Sequence, residues 1–257
     1  MSVTDLWLAA LPFLLGAAAL TWIVSVVRRN VTIVDTLWSL LFVIAAAVYV
    51  ASAEAPTPRA WLVLCLVSLW GVRLAAYLAW RNRGHEEDRR YQAIRRRNEP
   101  NFALKSLWLI FGFQAVLAWI ISLPLAGAIA GEAPLGLIDW LGVALWAVGV
   151  FFEAVGDWQL ARFKADPANV GRVMDSGLWR YTRHPNYFGD FCVWWGLYLV
   201  ALSAGAWWSV VAPLIMSFLL LRFSGVRLLE RDIGERRPAY AEYVRRTNAF
   251  FPGPRKA

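Results

Sequence analysis

Charge is scarce in this chain: Asp, Glu, Lys and Arg make up 17% of its 257 residues, against 59% apolar, and the mean hydropathy is +0.48. Soluble domains carry about a quarter charged residues, which sets that class aside. Cysteine is nearly absent too. Cys65 and Cys192 lie inside apolar runs without CxxC spacing, which excludes a disulfide scaffold and makes both packing residues. Only two histidines occur, His85 and His184, and no HExxH or carboxylate pair stands at ligand spacing, so no metal site is expected. GxSxG, GxxxxGK[ST] and GxGxxG are all missing, which removes support for serine hydrolysis, P-loop nucleotide hydrolysis and Rossmann-type cofactor binding. No Pro/Gly/Ser linker or internal repeat divides the chain, which reads as one membrane domain over 1–257.

What the chain has instead is long apolar runs and aromatic rings, with 16 Trp, 14 Phe and 8 Tyr suited to the two lipid–water interfaces. Seven runs approach the roughly 20 residues that a bilayer core requires: Leu6–Val27, Val31–Val50, Trp61–Trp80, Leu107–Ile129, Leu135–Val155, Tyr187–Leu202 and Trp207–Phe223. The first is a retained helix and not a signal peptide, because an acidic segment precedes it and no small-residue cleavage site follows. The cations obey one rule. Arg28, Arg29, the loop from Arg81 to Lys105, the segment Arg162–Arg183 and everything from Arg222 to Lys256 fall on one side, and Arg59 alone on the other with Asp5, Glu54 and Glu132. The positive-inside rule then predicts an all-α integral membrane protein of seven transmembrane helices, N-terminus outside and C-terminus cytoplasmic. The net charge of +8 is a topology signal on this reading, and nucleic acid is not expected as a partner.

Ionisable residues at membrane depth are costly and therefore candidate functional groups. Asp35 lies one turn into the second run; Arg73 and Tyr77 share a face of the third; Gln114 is midway along the fourth; Glu153 and Asp157 end the fifth; Asp190 opens the sixth. Structural readings stand beside each. Asp35 and Arg73 could form an interhelical ion pair, Gln114 an interhelical hydrogen bond, and Glu153 and Asp157 an interfacial set serving nearby arginines. The tail from about Ser224 to Pro252 is expected to be a short amphipathic helix, with Leu228, Leu229, Ile233, Tyr240, Tyr243 and Val244 at helical spacing. The stretch 175–190, DSGLWRYTRHPNYFGD, brings Arg180, Arg183 and His184 to a helix start capped by Asn186, followed by Tyr187 and by Gly189, which would permit close backbone approach. Physical chemistry leaves two readings of it: an anion cradle suited to a pyrophosphate or ribose phosphate, or a topology anchor that binds lipid headgroups.

That stretch, the tail ERDIGERRPAYAEYVRRTNAFFP (230–252), the second run, the Arg73–Tyr77 pair and the RNRGHEEDRRY loop ending at Tyr91 resemble the steroid 5-alpha-reductase family of membrane reductases, in a bacterial branch. The resemblance covers most of the chain from Val31 onward. It implies NADPH-dependent reduction of the carbon–carbon double bond of an α,β-unsaturated 3-oxo lipid, in an inner membrane with the cofactor site facing the cytoplasm. The implied substrate cavity lies among the helices of 1–130, and the cofactor region in 131–257. Cofactor contacts would fall on Asp157, Arg162, Lys164, Arg172, His184, Asn186, Tyr187, Asp190, Arg227, Tyr240, Tyr243 and Arg246, with Lys164 and Arg172 on the 2′-phosphate. The ketone-binding acid maps onto Asp35, in its neutral form, and Trp38, Trp70, Arg73 and Gln114 would line the substrate. Where animal members carry a tyrosine this chain has Trp70, which makes Tyr77 the nearest phenol and the assigned proton donor. A methyltransferase using S-adenosylmethionine, with Glu230 in the tail, is the rival reading, because isoprenylcysteine and phospholipid methyltransferases share the Arg-His-Pro-x-Tyr-x-Gly element. A non-catalytic lipid-binding protein is the third.

Overall fold

The computed structural model describes residues 2–223 and 239–256. Arg227, Glu230, Leu228, Leu229 and Ile233 lie outside them, as does most of the expected tail helix. The described residues are helical throughout, without strands, and cluster into two compact units. One comprises 1–136 with 201–209; the other comprises 137–200 and 210–257. The division falls at Gly136 and Leu137, and the 201–209 segment joins the first unit.

The first unit holds α1 (Val3–Arg28), α2 (Ile33–Ser52), α3 (Pro58–Asn82), α4 (Arg89–Asn98), α5 (Phe102–Ile121) and α6 (Leu123–Ile129). Starts follow local chemistry. Ser2 Oγ accepts the Asp5 N–H at 3.2 Å while the Asp5 carboxylate takes the Ser2 N–H, a capping box. Thr57 caps α3 ahead of Pro58, whose missing N–H costs nothing at a first helical position. The α2 helix is central and packs on both α1 and α3. Ser39 on α2 donates to the Gly71 carbonyl at 2.9 Å, and a Cβ at Gly71 would stand 3.0 Å from the Ser39 carbonyl oxygen, so glycine sets that spacing. Trp7 and Trp119 stack at 3.7 Å and exchange indole N–H bonds with each other's carbonyls at 2.9 and 2.7 Å, locking α1 to α5. Arg59, the cation that the charge pattern sets apart, is 1% exposed and donates to the Ala133 and Pro134 carbonyls at 2.7 and 3.0 Å.

The second unit holds α7 (Leu137–Ala165), α8 (Pro185–Ser203) up to Val200, α9 (Val211–Phe218) and α10 (Ala239–Arg246). Its two long helices meet through glycines spaced by seven. A Cβ at Gly142 would lie 2.7 Å from the Gly196 oxygen, and one at Gly149 2.6 Å from both the Gly189 oxygen and the Val193 nitrogen. Backbone therefore lies against backbone along the whole seam, a contact that any side chain would wedge open.

Helix covers all seven expected runs, but five of the described helices are both long and apolar enough to cross a membrane: α1, α2, α3, α5 and α7. They mark the chain as a membrane protein. The α8 helix falls outside that set because its first turns carry Asn186 and Asp190, and Trp207–Arg222 is a shorter apolar helix.

Candidate functional site

In the first unit a polar cluster is built where the α3–α5 connection folds back onto the start of α2. The Val31 N–H donates to Glu87 Oε1 at 2.9 Å, and the Asp88 N–H donates to Thr32 Oγ1 at 2.8 Å. Arg95 grips Glu87 through two bonds of 2.9 and 2.7 Å. Asp88 then caps α4 by accepting the Arg90 N–H at 2.8 Å. These bonds set α4 so that its next two side chains reach Asp35: Tyr91 donates its phenol proton to Oδ1 at 2.6 Å and Arg90 pairs with Oδ2 at 3.0 Å. The Gln114 amide hydrogen-bonds to the same phenol, leaving its own buried Oε1 without a partner. Gln114 follows a widened turn of α5 at Leu107–Gly112, an irregularity frequent at functional sites.

Burial, and then the charge of Asp35, raise the Tyr91 phenol well above the ordinary tyrosine range, so it keeps its proton. Burial opposes the ionised forms of Glu87 and Asp88, yet the bonds from Arg95 and Val31 on one and from Arg90 on the other outweigh it and hold both carboxyls below their usual range. Asp35 accepts from two donors, the Tyr91 phenol and the Arg90 guanidinium. Tyr91 is the phenol on Asp35, and Tyr77, the expected proton donor, lies beside Trp80 and under Arg81 at the end of α3. The partner of Asp35 is Arg90, 55 residues away, where Arg73 was one expectation. Trp38, one turn beyond Asp35, meets Phe42 edge-on at 5.1 Å, and Phe42 lies 6.0 Å from the fully buried Trp70, an aromatic wall next to the acid.

The second unit gathers most of the expected cofactor residues but gives several of them structural work. Glu153 and Asp157 are buried on α7, and the Asn186 amide donates to Asp157 Oδ1 at 3.3 Å. His184 and Tyr187 stack at 5.6 Å. Arg183 caps the end of α10 by donating to the Thr247 and Val244 carbonyls at 2.6 and 3.2 Å. Tyr243 donates to the Trp179 carbonyl at 2.6 Å, Tyr240 is buried against its ring, and Arg246 pairs with Glu242. The room at Gly189 goes to α7, whose Glu153 nitrogen would stand 2.6 Å from an added Cβ. Arg162 and Lys164 are exposed on the last turn of α7 and Arg172 on the segment after it, Arg162 lying over the Trp158 ring at 5.1 Å; the Asp190 carboxylate is partly buried. Buried carboxylates beside an amide, with exposed cations following, fit the hydroxyls and phosphates of a dinucleotide.

Residues 21–247 match the family described as "Protein of unknown function (DUF1295)". The chain belongs to that family. The match agrees with the sequence resemblance at the level of the wider steroid 5-alpha-reductase-like group. Within this DUF1295 chain both polar clusters fall inside the matched residues. It is similar to "Uncharacterized protein C594.04c" of Schizosaccharomyces pombe (strain 972 / ATCC 24843), 28% identical over 94% of this chain and 78% of that one. It is also similar to "Cobalt-zinc-cadmium resistance protein CzcN" of Cupriavidus metallidurans (strain ATCC 43123 / DSM 2839 / NBRC 102507 / CH34), 31% identical over 43% of this chain and 49% of that one. No solved structure matches. Among the described residues no three His, Cys, Asp or Glu side chains group as a metal site would need.

Proposed function

We propose that this protein reduces the carbon–carbon double bond of a lipophilic α,β-unsaturated ketone, of the 4-en-3-one steroid type, with NADPH. The observation that carries the reading is the Tyr91 phenol, buried, still protonated, and held by Asp35 at 2.6 Å beside an aromatic wall. Bound NADPH would supply hydride to the β-carbon of the enone, held by Asp157, Asn186 and Asp190, with Arg162, Lys164 and Arg172 on its phosphates. Reduction at that carbon places negative charge on the ketone oxygen. To donate to that oxygen as the charge grows, where a donor lowers the barrier, the single Tyr91 proton would turn from Asp35 Oδ1 to the ketone. Arg90 would keep Asp35 paired as the phenol turns, and Gln114 donates to the phenol oxygen, stabilising it as its proton is drawn off. Trp38, packed edge-on against the buried Phe42 and backed by Trp70, would supply apolar contact to a hydrocarbon.

The reading extends to topology: seven spans in an inner membrane, the N-terminus outside and the cationic loops cytoplasmic. The charge distribution supports it. The test is turnover of a panel of enone lipids by the full chain in detergent with NADPH, read by mass spectrometry as a gain of two hydrogens. Asp35→Asn and Tyr91→Phe should both be slow. Absence of NADPH oxidation with every enone, or wild-type rates in both variants, would overturn the proposal.

A further inference from the structure

The α4 helix has two faces with different partners. Its inward face carries Tyr91, Ile94, Arg95 and Asn98, with Arg95 on Glu87 and 4.3 Å above the Phe102 ring. Its outward face carries Arg89, Arg96 and Arg97 around the small Ala93, all three arginines exposed. Arg89 and Arg96 stand two turns apart on one stripe.

Among the described residues these guanidiniums have no carboxylate partner, and neither do Arg28, Arg29 and Arg83. The six collect at one end of the first unit. Trp22 donates to the Ala103 carbonyl at 2.8 Å, tying the end of α1 to the start of α5, and the Glu87 and Asp88 bonds bring the α3–α4 connection to the start of α2. The nearby carboxylates Glu87 and Asp88 are spent on Arg95 and Arg90, which leaves only the exposed Glu86 and Glu99. Trp80 and Trp108 are exposed at the same end, where α3 finishes and α5 begins, as indoles are at the headgroup level of a bilayer.

We infer that the outward face of α4, with Arg28, Arg29 and Arg83, is a binding surface for anionic phospholipid headgroups, and that headgroup binding holds Tyr91 on Asp35. Charge complementarity at the ends of membrane-crossing helices selects a phospholipid over a soluble anion, because the cations sit where headgroup phosphates are concentrated. Headgroups held by Arg89, Arg96 and Arg97 pin the outward face of α4 and so steady the helix that carries the phenol. The binding surface is independent of the proposed reaction; only its catalytic consequence rests on that reading.

The test uses the full chain in nanodiscs of phosphatidylcholine alone or with phosphatidylglycerol, compared with Arg89→Gln/Arg96→Gln/Arg97→Gln. Native mass spectrometry should find phosphatidylglycerol retained over phosphatidylcholine by wild type, with a preference on the order of tenfold that the variant loses. Hydrogen exchange over residues 88–98 should slow with phosphatidylglycerol in wild type and not in the variant. The Arg→Lys triple variant, which keeps the charge, should retain both effects and guards against a folding defect. Equal retention of the two lipids, exchange unmoved by phosphatidylglycerol, or displacement of the lipid by millimolar inorganic phosphate would overturn the inference. Neither readout requires turnover, so an inactive enone assay leaves the lipid result standing.

Discussion

Tyr91 and Asp35 lie 56 residues apart, and nothing in their spacing announces that they meet. Their bond exists because Glu87 and Asp88 fasten the connection to Val31 and Thr32 immediately upstream, a juxtaposition made by tertiary folding. Tyr91→Phe removes one hydroxyl and should lower turnover of an enone with NADPH by roughly 10²–10³-fold, the loss typical of a transition-state donor. Its cost in stability should be about 1 kcal/mol, one net hydrogen bond. Tyr77→Phe should stay close to wild type in the same assay, and equal losses in both variants would refute the choice between the two phenols. The acidity of Tyr91 gives a second check. A proton donor whose folded value is raised keeps its acid form to higher pH, so this group should impose no alkaline fall in rate below about pH 10, the ordinary tyrosine value. Asp35 was legible in the sequence as an acid within an apolar run. Its hydrogen-bond partner Tyr91 was not, because the sequence drew attention to Tyr77, the phenol nearest Trp70.

At the scale of the element, hydropathy made the helices legible, since a bilayer demands long apolar segments and these leave a plain trace. The seam between α7 and α8 left a trace that general glycine and alanine content hides: Gly142, Gly149 and Gly156 at intervals of seven, answered by Gly189 and Gly196. Gly149→Leu should therefore lower thermal stability by about 1–3 kcal/mol, the usual cost of overpacking, or splay the pair. Gly16→Ala in α1, where an added Cβ meets nothing within 4 Å, should be neutral or slightly stabilising, as alanine is the better helix former. Paired melting curves in one detergent decide it, and equal shifts would mean the seam is loose. The connection before α4 answers to acid instead. Carboxyls held below their unfolded value stabilise the fold above that value and lose the contribution as pH falls through the folded one. The Glu87 and Asp88 clamps should thus hold at neutral pH and open only below about pH 4, seen as faster hydrogen exchange over 86–98.

For the molecule as a whole, orientation turns on how charge is counted. Arg59 is the exception to an otherwise one-sided distribution of cations, and its charge is buried against two backbone carbonyls of the 133–134 segment. A guanidinium satisfied by the fold is a structural tie, so the exception does not weaken the bias carried by the remaining cations. Two outcomes separate these roles. Arg59→Ala should destabilise the protein by about 1.5–3 kcal/mol, the range for a hydrogen bond to a charged group, because both carbonyls lose their donor. It should leave topology unchanged: a cysteine placed at Glu54 or Glu132 should react with an impermeant maleimide from outside, and one placed at Gly84 only after the membrane is opened. Inverted labelling in wild type would reverse the proposed orientation and set the Arg-rich face of α4 against the outer leaflet. Inversion only in Arg59→Ala would show that this buried charge contributes to topology after all.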